Sequence, residues 1–319
     1  MHGPGNPMGM TKTARARDGR TLSYEEHGMP DGRPVFLLHG MPGSRKGPRP
    51  RSSVLYLLGV RLISYDRPGY GGSDRRLGRS VADAAEDVQD LADALGIEQF
   101  GVLGRSGGAP HALACAALLP ERVTRVAALV SLAPRDLMGD DAWYRDMSKR
   151  NISWYQAAER GLAAYTERVA EPMAAIRADP DSHLPYEDPE LPKSDRAVIA
   201  DYGLKVMLSE NFTEGLRNSP NGWIDDVLAL IGPWGFDPAR IFTPVLLWHG
   251  TKDVFCPVSH SEWLARRIPT AELRLVEGVS HFAALEVMPR VLQWLAAEQP
   301  AVPGVPGPDE AADPAEPAA

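Results

Sequence analysis

The 319-residue sequence is short of cysteine, of basic charge and of long apolar runs. Its two cysteines, Cys115 and Cys256, cannot make a disulfide framework. Cys115 lies in an apolar helical run, Ala112 to Ala117, as a core residue would. A membrane-spanning helix needs roughly 20 apolar residues, and the longest stretches here, around 111–119 and 126–132, fall well short. Lys and Arg number 34 against 42 Asp and Glu, a net charge of −8. Phosphate backbones are read by clustered Lys and Arg, so neither a nucleic acid nor a membrane is expected as partner. Residues 1–10 have no basic region and no apolar region of a secretory signal, so a reducing cytoplasm is the expected setting. No metal-ligand spacing, phosphate loop or dinucleotide fingerprint is present, so neither metal nor cofactor is expected.

What is present is an ordinary globular composition, 44% hydrophobic and 24% charged. Two tails, 1–10 and 299–319, carry Gly, Pro, Ala and acids with almost nothing to bury, and are expected to be disordered. Between them strands and helices alternate. Segments 13–17 and 21–25 flank Asp18-Gly19, a hairpin signal. Apolar strands are expected at 35–38, 61–65, 100–103, 126–132, 245–248 and 272–276. Val81, Ala84, Val88, Leu91 and Leu95 recur at helical spacing, with Ser80 as N-cap and Gly96 as stop. Further helices are expected at 109–119, 259–267 and 285–297. Short apolar strands separated by helices read as a mostly parallel sheet covered on both faces. Residues 137–240 interrupt the pattern with helical stretches, many prolines and no clear strand. They divide the core into 11–136 and 241–298. This insertion carries 18 acids against 11 bases, with four of the seven tryptophans: Trp143, Trp154, Trp223 and Trp234.

The chemistry-bearing motif is Gly104-Arg105-Ser106-Gly107-Gly108, between a strand and a helix. A serine on such a turn sits in a crowded backbone that flanking glycines relieve, and its hydroxyl stands at the carboxyl end of the sheet. A hydroxyl needs a base to become a nucleophile. Of eight histidines, His281 follows the last strand at the same edge, whereas His111 lies one turn beyond Ser106 on its own helix and points poorly. The base needs a carboxylate to orient it. Asp253, in His249-Gly250-Thr251-Lys252-Asp253, is preferred over Asp136, which follows the preceding strand. Met41 N–H in His39-Gly40-Met41-Pro42-Gly43, with Gly107 N–H, can receive a developing oxyanion; Pro42 has no N–H to offer.

Taken in order, the His39–Ser44 motif, Asp66-Arg67-Pro68-Gly69-Tyr70-Gly71-Gly72-Ser73, Gly104–Gly108, His249–Asp253 and His281 resemble the α/β-hydrolase superfamily over 11–298. That resemblance implies an eight-stranded, mostly parallel sheet with a helical cap, 137–240, inserted after the sixth strand. It also implies that Asp66, Arg67 and Ser73 brace the site. A serine rather than a carboxylate at the elbow implies an acyl-serine intermediate and a small, partly apolar ester, lactone or thioester. The opening motifs are similar to prolyl iminopeptidase-type members, which read a substrate amine with cap carboxylates. Glu210, Glu214, Asp225 and Asp226 are compatible with that role, although Gly107 stands where that branch carries Trp. Acyltransferase, lyase, cyclase and small-molecule receptor roles are the remaining alternatives.

Overall fold

The computed structural model describes residues 10–183 and 190–297; the two tails, Met10 apart, lie outside them. Eight strands form one sheet: β1 (Lys12–Arg15), β2 (Thr21–Gly28), β3 (Arg33–Leu38), β4 (Val60–Tyr65), β5 (Phe100–Arg105), β6 (Val123–Leu129), β7 (Val245–Gly250) and β8 (Ala271–Val276). Their order is β1-β2-β4-β3-β5-β6-β7-β8. Only β2 runs against its neighbours, pairing antiparallel with both β1 and β4; every later pairing is parallel.

The central strands are apolar throughout because both faces are covered. In β3, Phe36 and Leu38 enter one buried cluster, with Val88 and Leu113. Val35 and Leu37 enter the opposite one, with Leu55 and Leu292. The period of two along the strand divides these side chains between two layers. One layer holds α1 (Ser52–Leu57), whose six residues carry no sequence signal. The other holds α2 (Ala84–Ala94) and α3 (Ala109–Leu118).

Between β6 and β7 the described residues contain seven α-helices, two short 3₁₀ turns and no strand. The α-helices are α4 (Arg135–Met138), α5 (Asp140–Tyr144), α6 (Lys149–Glu159), α7 (Leu162–Ala178), α8 (Lys193–Ile199), α9 (Tyr202–Gly215) and α10 (Asn221–Ile231). The chain then returns through β7, α11 (Val258–Arg267), β8 and α12 (Met288–Ala296). No described helix is long and apolar enough to cross a membrane.

Some boundaries differ from the sequence expectation. The helix expected from Val81 begins at Ala84. Ser80 does not cap it; its N–H and hydroxyl donate to Asp83, and Ala82 N–H goes to Trp234 O. The sixth strand ends at Leu129 rather than 132, because Val130 turns the chain with φ 48°. The last helix starts at Met288, after a tighter turn over His281–Leu285.

Candidate active site

Parallel strands end together, so the loops that leave β5, β7 and β8 converge at one edge of the sheet. Ser106 follows β5 directly and has φ 54°. A non-glycine residue in that region is strained and persists only where its surroundings hold it. The glycines around it are required by close approach. A Cβ on Gly108 would lie 2.2 Å from Leu38 O, and one on Gly104 would lie 2.4 Å from Gly108 O. Ser106 therefore sits against the end of β3, next to the His39–Gly43 loop.

Asp253 lies past β7 and is buried. Its Oδ1 accepts the N–H groups of Phe255 and Cys256, at 2.8 and 3.0 Å. Its Oδ2 accepts His281 Nδ1–H at 2.7 Å. Burial opposes its charge, yet His281, with support from His249, outweighs that and holds the carboxyl below the usual range. With the proton fixed on Nδ1, His281 Nε2 is left as an acceptor. His249 shapes the same loop: its Nε2–H donates to Cys256 O and its Nδ1 accepts from Ser261, both at 2.6 Å. Asp136, the alternative acid, is exposed at the start of α4, away from this arrangement.

Ser106, Gly107, Met41 and His281 line one cavity of about 150 Å³. This is small beside the roughly 300–1,000 Å³ of drug-sized sites. The Ser106 hydroxyl shares this cavity with Cys256. No hydrogen bond joins it to His281 among the described residues; such contacts often close only around substrate. Met41 N is 3.5 Å from where a Gly107 Cβ would stand, so the two backbone N–H groups expected to receive an oxyanion are neighbours. The same Cβ would be 2.7 Å from Met41 Cβ. No side chain larger than hydrogen fits at 107 unless the Met41 loop moves.

His39, Asp66, Arg67 and Ser73 sit beneath this surface. His39 Nε2 accepts Arg67 N–H, and its Nδ1–H donates to Gly40 O. Arg67 also donates to the carbonyls of His39 and Gly40. Asp66 accepts Arg45 Nη1 at 2.5 Å, and Ser73 Oγ donates to Asp66 O at 2.6 Å. The bracing role is structural in the literal sense: these groups hold the loop that carries Met41.

The cap acids do not reach the cavity. Asp226 is fully buried and accepts Arg67 Nη2 at 2.5 Å, Arg79 Nη2 at 2.7 Å and Tyr70 OH at 2.8 Å. Burial works against its ionisation, but Arg67 and Arg79 hold it ionised. Asp225 pairs with Arg75 at 2.8 Å, and Glu214 with Arg45 at 2.7 Å. Glu210 borders a separate open cleft beside Lys46 and Lys205. The compatibility of these four with an amine subsite is thus corrected: three are spent on core arginines, and the fourth faces elsewhere. His111 is drawn into the same cluster, 3.6 Å from Asp226. Burial and the arginines push it down to about 3.

The tryptophans divide evenly. Trp143 and Trp234 are core, their indoles donating to Ala133 O and Leu230 O. Trp154 and Trp223 line the cavity and stack on each other at 5.1 Å. Sequence reasoning missed Arg105, Phe255 and Phe282 as lining residues. It also missed Asp195 of α8, whose Oδ1 accepts Phe282 N–H at 2.8 Å and ties the cap to the His281 loop. Phe255 and Phe282 were signalled by their adjacency to Asp253 and His281; nothing local marks Asp195.

Residues 33–286 match the alpha/beta hydrolase fold family. The chain is 25% identical over 295 residues to a proline iminopeptidase of Arabidopsis thaliana, covering 84% of this chain and 74% of that one. It is 28% identical over 284 residues to a non-heme chloroperoxidase of Streptomyces lividans, covering 88% and 96%. Among solved structures, the enol-lactonase of Burkholderia xenovorans LB400 superposes with a TM-score of 0.65 at 20% identity, over 89% of this chain and 97% of that one.

Proposed function

Because the chain belongs to the alpha/beta hydrolase fold family, we propose that it is a serine hydrolase of small, partly apolar carboxylic esters, lactones or thioesters. One observation carries the reading. The His281 Nδ1–Asp253 Oδ2 contact of 2.7 Å leaves Nε2 free at a cavity that also holds Ser106 on its strained turn. In the proposed reaction Ser106 Oγ attacks the substrate carbonyl while its proton passes to His281 Nε2. The N–H groups of Met41 and Gly107 stabilise the oxyanion. Collapse expels the alcohol, which takes the proton from His281, and leaves an acyl-serine. Water then repeats the sequence with His281 as base, releasing the acid and restoring Ser106. Trp154, Trp223 and Phe212 favour an apolar or aromatic portion in the substrate.

Similarity to proline iminopeptidases supports a second reading, in which a substrate amine is held by cap carboxylates. The pairing of Glu214, Asp225 and Asp226 with core arginines, and the lack of room beyond hydrogen at Gly107, weigh against it. The test combines a fluorophosphonate probe with p-nitrophenyl esters and proline β-naphthylamide. Labelling at Ser106 with turnover of the esters supports the first reading. Preferred turnover of the prolyl amide supports the second. Labelling with neither activity points to a non-hydrolytic role.

A further inference from the structure

The buried arginines of this chain each face a carboxylate. Arg45 meets Asp66 and Glu214, Arg67 meets Asp226, and Arg79 meets Asp226. Arg105, next to the nucleophilic turn, does not. Its guanidinium lies over Gly40, with Nη2 3.0 Å from where a Cβ there would stand. Its Nη1 is sealed from water without a partner. Among the described residues no acceptor or ion-pair partner within hydrogen-bonding distance serves any of its nitrogens. Burial draws its pKa down to about 10, so it stays charged at neutral pH.

The place where this cation meets open space is the catalytic cavity, which it lines with Ser106. No Asp or Glu lines that cavity, while a second arginine, Arg150, does. The carboxylates whose charge reaches it are Asp253 and Asp195, and neither pairs with it: Asp253 is held by His281 and its own loop, while Asp195 accepts Phe282 N–H with Oδ1 and keeps Oδ2 buried without a partner. Tyr165 lines the same cavity and its buried hydroxyl also has no partner. A buried donor left unsatisfied costs free energy, more so when charged. Two residues of an otherwise aromatic lining, Arg105 and Tyr165, therefore each carry a buried polar atom without a partner.

We propose that Arg105 is the anion-recognition residue of this pocket, and that the natural substrate is an ester or lactone bearing a carboxylate on an apolar or aromatic frame. The inference rests on the serine-hydrolase reading for the bond that is cleaved, but not for the charge that is recognised. A carboxylate is the acceptor that a guanidinium binds with charge-assisted hydrogen bonds. A substrate amine, in contrast, would enter a positive field.

The test uses phenyl hydrogen succinate, glutarate and adipate, each beside its neutral methyl ester. Wild-type kcat/KM should favour the acid over the neutral ester by about tenfold to a hundredfold in at least one pair, as a charge-assisted contact allows. The R105M variant should erase that ratio, chiefly through KM, and should unfold at the same temperature as wild type or higher, because a cation with a buried, unpartnered Nη1 has been removed. In S106A, which cannot turn over, succinate, glutarate or adipate half-esters should raise the melting temperature more than their neutral partners do. R105M/S106A should lose the difference. Neutral esters preferred in all three pairs, or an acid preference intact in R105M, overturns the proposal. Turnover of neutral esters that survives S106A would instead overturn the serine-hydrolase reading, and leaves the binding arm to decide Arg105 on its own.

Discussion

From helix α10, Trp223 and Val227 point into the cavity, while Asp225 and Asp226 are held by Arg75, Arg67 and Arg79 of the core. Helix α9 divides likewise: Leu208 and Phe212 line the cavity, whereas Asn211 accepts Ser44 N–H at 2.8 Å and Glu214 meets Arg45. Each helix is apolar toward the substrate space and charged toward the protein. This inverts the common picture of a polar site over an apolar core. The reason lies in what each surface must do. The cap rests on loops rich in arginine and carbonyl groups, which need buried acceptors. On the proposed reading the cavity has to hold a partly apolar substrate, which aromatic walls suit.

Changes on the two faces should therefore have separable consequences. The largest effect belongs to the chemical end of the cavity. S106A and H281A should each lower ester kcat by about 10⁴-fold or more, and the double variant little further, because the groups act as a unit. D253N should cost on the order of 10⁴ and D136N should leave kcat within about twofold; a crippled D136N would show that the acid lies after β6. Next comes the charged face. D226N leaves Arg67 and Arg79 buried beside an uncharged partner, so urea unfolding should show a loss of about 3–5 kcal/mol. A loss below about 1 kcal/mol would mean that the cluster does not hold the cap.

The aromatic residues sharpen the same contrast. W143A, in the core, should lower stability by about 3–5 kcal/mol with ester chain-length preference intact. W154A should shift that preference while costing under about 2 kcal/mol, as a half-buried residue replaced at a cavity wall. Equal selectivity in both variants would remove Trp154 from the substrate site.

The smallest effect is one of pH. His39, His111 and His260 are buried and held below the ordinary histidine value of 6.5: His39 well below, His111 at about 3 and His260 at about 4, in each case through burial first. The unfolded chain takes up these protons near pH 6.5 and the folded chain does not. Their contribution is therefore complete above that pH and declines as the pH falls toward 4, by up to about 1.4 kcal/mol per unit for each histidine. H111N should flatten the slope of stability between pH 6.5 and 4.5 by roughly one histidine's share. An unchanged slope would show that His111 is protonated in the folded state.

Much of the sheet was legible because its signals are local. A period of two in residues 35–38, the Gly-x-Ser-x-Gly run at 104–108, and short apolar runs ending in Gly or Asp mark strands and turns without reference to distant residues. That Ser106, Met41, Gly107 and His281 lie at one edge of the sheet was legible for the same reason, each following a strand end. Helix boundaries were less so: Ser80 looks like a cap in isolation, but Asp83 and Trp234 claim its surroundings. The cap acids read as solvated or as an amine site, since nothing near Asp226 in sequence announces Arg67, 159 residues away.

The sequence by itself determined the order of most strands and helices, the Gly-rich turn that carries Ser106 and the residues proposed to act with it, because backbone period, turn sterics and residue chemistry act over a few neighbours. Tertiary structure alone decided how the charges were spent. Which carboxylate meets which guanidinium depends on separations in space of a few ångströms between residues far apart in the chain: Glu214 meets Arg45, Asp225 meets Arg75 and Asp226 meets Arg67 and Arg79, while Arg105 Nη1 has no partner.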